Sequence, residues 1–211
     1  MNSLTTLLTL ADSRLPTGGH VHSGGVEEAV TSGLLTDLST LRAYLVRRIC
    51  SHGLVAASVA VAVHEGTLTP GVADAEIDAR TPSPASRDAS RAQGRGLVRL
   101  ARRVWPDGPW DTLGTRPHLA VAAGAVGAAS GLDPLQTALS VVYTTMTGSA
   151  TAAQRLLALD PGDVAAVTFE LAALCDTVAE EATAGLADLS DPLLDVMAER
   201  HAQRDRPLFV S

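Results

Sequence analysis

Lysine is absent from this chain: all sixteen basic side chains are arginine. A phosphate-cradling P-loop needs a lysine behind its last glycine to reach the β and γ phosphates, and a Ser or Thr hydroxyl for the magnesium ion. The GxGxxG spacing of a dinucleotide fold is missing as well. Together these absences argue against a nucleotide-hydrolysing enzyme. Aromatic residues make up only 3% of the chain while 46% is hydrophobic, so the core is built from Leu, Val and Ala, and close helix packing is expected. Cysteine is nearly absent. Cys50 and Cys175 show neither CxxC nor Cys/His ligand spacing, which predicts reduced, buried thiols. The longest apolar stretches, Leu54 to Val63 and Leu119 to Ala129, fall short of the roughly 20 residues that span a bilayer. There is no basic region followed by a long apolar run and an Ala-x-Ala site, so a cytoplasmic protein is expected. A net charge of −7 argues against nucleic acid or an anionic membrane as the main partner.

Helix signals dominate what is there. Ser83-Pro84, Asp133-Pro134, Asp160-Pro161 and Asp191-Pro192 each pair an oxygen-bearing N-cap with proline at the first helical position. Leu34, Leu38, Leu41, Leu45 and Ile49 step by three or four, as do Leu135, Leu139, Val142, Met146, Ala150 and Ala153. Residues 55–63 partly alternate but read as helix. Surface connections are expected at 66–84, with a short helix at 72–79, and at 106–117. At 211 residues the chain suits one domain, and the expected fold is an all-α, single-domain helical bundle over residues 1–211.

The most informative segment is a glycine-rich loop, residues 13–26. Pro16, Gly18, Gly19, Gly24 and Gly25 fall within ten residues, a density that marks a backbone task. His20 and His22, with Glu27 or Glu28 nearby, are weak candidates for a divalent ion, because an i, i+2 pair in a loop lacks a further fixed ligand. Ser23 is no nucleophile elbow, since Val21 stands where Gly-x-Ser-x-Gly requires glycine. Arg87, Arg91, Arg95 and Arg99 recur every four residues along one helix face. Like charges so placed repel, so the face must be solvated, matched by acids, or held for an anionic partner. Glu27 sits at a helix start, where the dipole favours a carboxylate. The C-terminal tail, 205–211, has no helical face for Leu208 and Phe209, which therefore either fold back or enter a partner.

The order Leu10, Asp12, Ser13, Pro16, Gly18, Gly19, His22, Ser23, Gly25, Glu27 closely resembles the opening of the urease accessory protein UreF family. Residues 87–99, 154–160 and the Arg206 to Ser211 ending (RPLFVS) extend the resemblance, although His20 stands where the family usually has an aromatic and Pro207 separates Arg206 from Leu208. The resemblance implies an all-α homodimer without catalytic residues or a stably bound cofactor. It implies an adaptor that acts with UreD (also called UreH) and the GTPase UreG to deliver nickel to apo-urease. It favours a partner-binding role for Glu27, for Arg87, Arg91, Arg95 and Arg99, and for the tail residues Arg206, Leu208 and Phe209. The alternative is a nickel-carrying metallochaperone that uses His20 and His22.

Overall fold

A computed structural model describes residues 3–211 and contains helices with no strand among the described residues. In order these are α1 (Ser3–Leu10), α2 (Val26–Thr31), α3 (Leu38–Arg48), α4 (Leu54–His64), α5 (Pro70–Arg80), α6 (Pro84–Val104), α7 (Leu119–Ser130), α8 (Pro134–Leu157), α9 (Pro161–Glu170), α10 (Ala172–Ala182) and α11 (Pro192–Ala202). The four Xaa-Pro starts behave as their chemistry requires. Ser83, Asp133, Asp160 and Asp191 each accept a first-turn N–H, and proline occupies the first turn of the helix that follows. Each such cap is worth about 1 kcal/mol. Thr69-Pro70 is a fifth start of the same kind and extends the short helix expected at 72–79 to the whole of α5.

One buried apolar cluster joins all of this into a single bundle. At its centre α4 packs against α7, α8, α10 and α5. Its neighbour α7 reads LAVAAGAVGAAS, and the small residues set the spacing. A side chain at Gly124 would place its Cβ 2.3 Å from the Ala60 carbonyl oxygen of α4, so only glycine permits that approach. The segment 106–117 is more than a surface loop, because Trp110 and Leu113 sit in a 3-10 turn with both side chains buried, and Trp110 Nε1 donates to the Trp105 carbonyl at 2.7 Å.

One sequence expectation fails at the junction of α3 and α4. Helices α3 and α4 are joined without a break by a π turn, Ile49–Gly53, to give one continuous helical run from Leu38 to His64. The run is long and apolar enough to cross a membrane by composition, but its apolar residues belong to the core around α7, α8 and α10. Cys50, on the π turn, is exposed rather than buried, while Cys175 is buried as expected, and both thiols are free.

Candidate functional site

The glycine loop and the C-terminus form one unit. Two consecutive glycines in the left-handed region, Gly24 (φ 66°) and Gly25 (φ 89°), turn the chain into α2. The turn packs on α3, where the Tyr44 hydroxyl donates to the Gly24 carbonyl at 2.7 Å. Ser23, buried, accepts the Glu27 N–H at 3.3 Å. The tail then returns along the loop. Val210 N–H donates to the Val21 carbonyl at 2.7 Å and Ser23 N–H to the Ser211 carbonyl at 2.5 Å. His22 Nδ1 lies 2.6 Å from Ser211 Oγ.

Glu27 is the hub. It is only 5% exposed, and its Oε1 accepts the Leu208 N–H at 2.8 Å while Oε2 accepts the Phe209 N–H and His201 Nε2, each at 2.9 Å. A carboxylate only accepts, so His201 Nε2 carries the proton. Burial pushes the Glu27 carboxyl up, but the Leu208 N–H, the His201 ring and the Phe209 N–H outweigh it and hold the group below the ordinary glutamate range. Beside it, Arg204 bridges Glu28 at 3.2 Å and the Thr31 hydroxyl at 2.7 Å. The tail alternates as a strand would. Phe209 packs against the core while Leu208 (80% exposed) and Val210 (69%) face outward. Of the two fates open to the tail, its backbone folds back and two of its apolar side chains stay available. Arg206 is exposed.

The arginine face divides in two. Arg91 is clamped by α5, with Nη1 on Asp74 Oδ2 at 2.6 Å and Nη2 on Asp78 Oδ2 at 2.9 Å, and Arg87 approaches Asp78 at 3.8 Å. Arg95 and Arg99 are exposed and have no ion pair among the described residues. The same acids hold His118, which is fully buried. Its backbone N–H donates to Asp74 Oδ1, its Nε2 meets Asp78 Oδ1, and its Nδ1 meets the Ser90 hydroxyl. Burial, chiefly, lowers the His118 pKa, as befits an imidazole satisfied on both nitrogens in its neutral form.

Among the described residues, Asp74, Asp78 and His118 are the one group of three that could converge on a metal ion. Their four carboxylate oxygens already serve Arg91 and His118, so the arrangement fits a closed ion network better than a cation site. His20 is exposed, and His22 is half-buried, with its pKa lowered by burial and by neighbouring His20. The Glu27 carboxylate that could have joined them is engaged by the tail. His118 and His201 stand alone in sequence, and no local pattern marks them, because their partners lie 40 and 174 positions away.

The sequence profile of the UreF family matches residues 34–172. Proteins described as urease accessory protein UreF match over the full length of both chains, glycine loop and tail included. The one from Mycobacterium sp. (strain JLS) is 75% identical, that from Mycolicibacterium vanbaalenii 73%, and that from Mycobacterium tuberculosis (strain ATCC 25177 / H37Ra) 68%. By the family profile and these full-length relatives alike, the chain belongs to the UreF family of urease accessory proteins.

Proposed function

We propose that this protein is a non-enzymatic adaptor in urease maturation, which binds UreD/UreH and the GTPase UreG in the complex that delivers nickel to apo-urease. The observation that carries the reading is the tail. Its backbone is fixed by Glu27 and the glycine loop, yet Leu208 and Val210 remain presented to solvent. Exposed apolar side chains on an ordered backbone lose little entropy on docking, which suits a recognition element. We place UreD/UreH there, with Arg206 at its rim. Arg95 and Arg99, unmatched by acids, suit an acidic partner surface, whereas Arg87 and Arg91 brace α5 against α6. Coupling to UreG requires that the adaptor bind its nucleotide states with different affinity. A homodimer is part of the proposal, and Phe169 on α9, 82% exposed, is the large apolar side chain most in need of cover. The nickel-carrier reading has less support, since His22 is engaged by Ser211 and Glu27 by the tail.

Size-exclusion chromatography with light scattering tests this directly. The full chain should elute as a dimer and as a complex with UreD/UreH. The double substitution L208S/V210S spares every backbone contact of the tail and should abolish association with UreD/UreH. Undiminished association of that variant would remove the tail from the interface. No association of the wild-type chain with either partner would end the adaptor reading.

A further inference from the structure

Arg48, the last residue of α3, is a cation without a counter-charge. Its Nε is buried and has no hydrogen-bond partner, and among the described residues no carboxylate pairs with its guanidinium. The acid that could have done so is taken: Asp191 binds Arg47 through both oxygens, at 2.6 and 2.7 Å, and accepts the Ser51 hydroxyl at 3.0 Å. The backbone is shaped around this guanidinium. A Cβ on Gly24 would lie 2.6 Å from Arg48 Nη2, and one on Gly25 would lie 2.8 Å from the Tyr44 hydroxyl, so the double-glycine turn leaves room for both side chains.

Arg48 lines a cavity of about 360 Å³, in the range of small-molecule sites, together with Gly24, Ser51, His52 and His22. The carboxylates on its wall are engaged elsewhere: Asp12 with Arg14, Asp191 with Arg47, and Asp195 with the Ser83 N–H. Arg80, also on the wall, is held by Glu76 and the Ala187 carbonyl. Arg155 is exposed and adds positive charge. His52 is exposed where it lines the cavity, yet the protein packed around it and the Arg48 charge lower its pKa to about 3, so its neutral ring can donate one N–H.

We propose that Arg48 anchors a binding site for a small oxyanion, a carboxylate or phosphate, in this cavity. A guanidinium edge takes such groups through two parallel N–H bonds, and a partly buried cation whose side-chain neighbour is the neutral Tyr44 hydroxyl rather than a carboxylate is the feature an anion completes. The site is independent of the adaptor reading and requires no other protein.

Calorimetric titration of the full chain with formate, a planar carboxylate, and with inorganic phosphate, a tetrahedral anion, tests it. At least one should bind saturably at one site, at least tenfold more weakly to Arg48→Met, and should shift the Arg48 Nε–H resonance in the NMR spectrum of the wild-type protein. Binding of neither anion at millimolar concentration, or equal binding by Arg48→Met, would mean that water alone solvates the guanidinium and would overturn the proposal. Should the variant not fold, the wild-type Nε–H resonance decides: unmoved by both anions, it overturns the proposal equally.

Discussion

Two carboxylate-centred junctions draw distant segments together in this protein, and they divide the task in opposite ways. On α5, Asp74 and Asp78 offer four oxygens to Arg91, the His118 ring and the His118 N–H, all carried by helices or their immediate caps. On α2, the single carboxylate of Glu27 holds His201 of α11 and two backbone N–H groups of a free chain end. The first is a brace whose members are fixed by other packing. The second is a clasp, in which one group holds Leu208 and Phe209 and the glycine loop holds the two residues after them. Redundant contacts make a joint permanent, whereas a shared hub makes it releasable as a unit.

The sharpest way to break the comparison is Glu27→Ala. It should cost about 3 kcal/mol, most of it from leaving buried His201 without an acceptor. It should also release the amides of Leu208 and Phe209 to fast hydrogen exchange while α5 to α7 stay protected. Tail amides as slow as in the wild type would show that the Val21 and Ser23 contacts suffice. Asp74→Ala should cost less, about 1–2 kcal/mol by denaturant unfolding, because Arg91 keeps Asp78 and only the His118 N–H is orphaned. The tail should be unaffected, and a tail loosened by this change would mean that the two junctions are coupled.

Acid titration should separate them by sign and window, with the smallest effect. The His118 pKa is lowered from 6.5, so the unfolded chain takes up its proton first, and the brace weakens as pH falls below about 6.5. Glu27 is lowered from 4.5, so its contribution is complete above that value and is lost only as pH falls through the depressed folded value. Exchange measured across this range should show the α5 to α7 region loosening while the Leu208 and Phe209 amides held by Glu27 stay protected. Simultaneous loosening of both would contradict these assignments.

The sequence announced the helices because their signals are local. Asp133, Asp160 and Asp191 sit beside the prolines that make them caps, and the three- and four-residue steps of α3 and α8 need no distant partner. The glycine loop was legible as a place of backbone demand, though not what it accommodates, since Tyr44 and Arg48 lie a helix away. The burial of Glu27 was illegible for the same reason: a glutamate in a first helical turn looks alike whether it faces water or receives a tail 181 positions later. The four-residue arginine spacing showed a common face but not that α5 matches half of it. Cys50 shares an apolar helical neighbourhood with buried residues, but it lies on the side of exposed Ala43 and Arg47, off the face of Leu41, Leu45 and Ile49.

That π turn also bears on how the chain can change length. At about 100° per residue, a π turn carries one residue more than the α-helix it interrupts, and so offsets the face that α3 presents from the face that α4 presents. Losing a single residue between Ile49 and Gly53 would restore a regular helix and rotate everything upstream relative to the core. Arg47 would leave Asp191, Tyr44 would leave the Gly24 carbonyl, and Arg42 would leave Glu170. Length in this short stretch is therefore a setting for everything upstream of residue 49, with the phase between two helices stored as one extra residue.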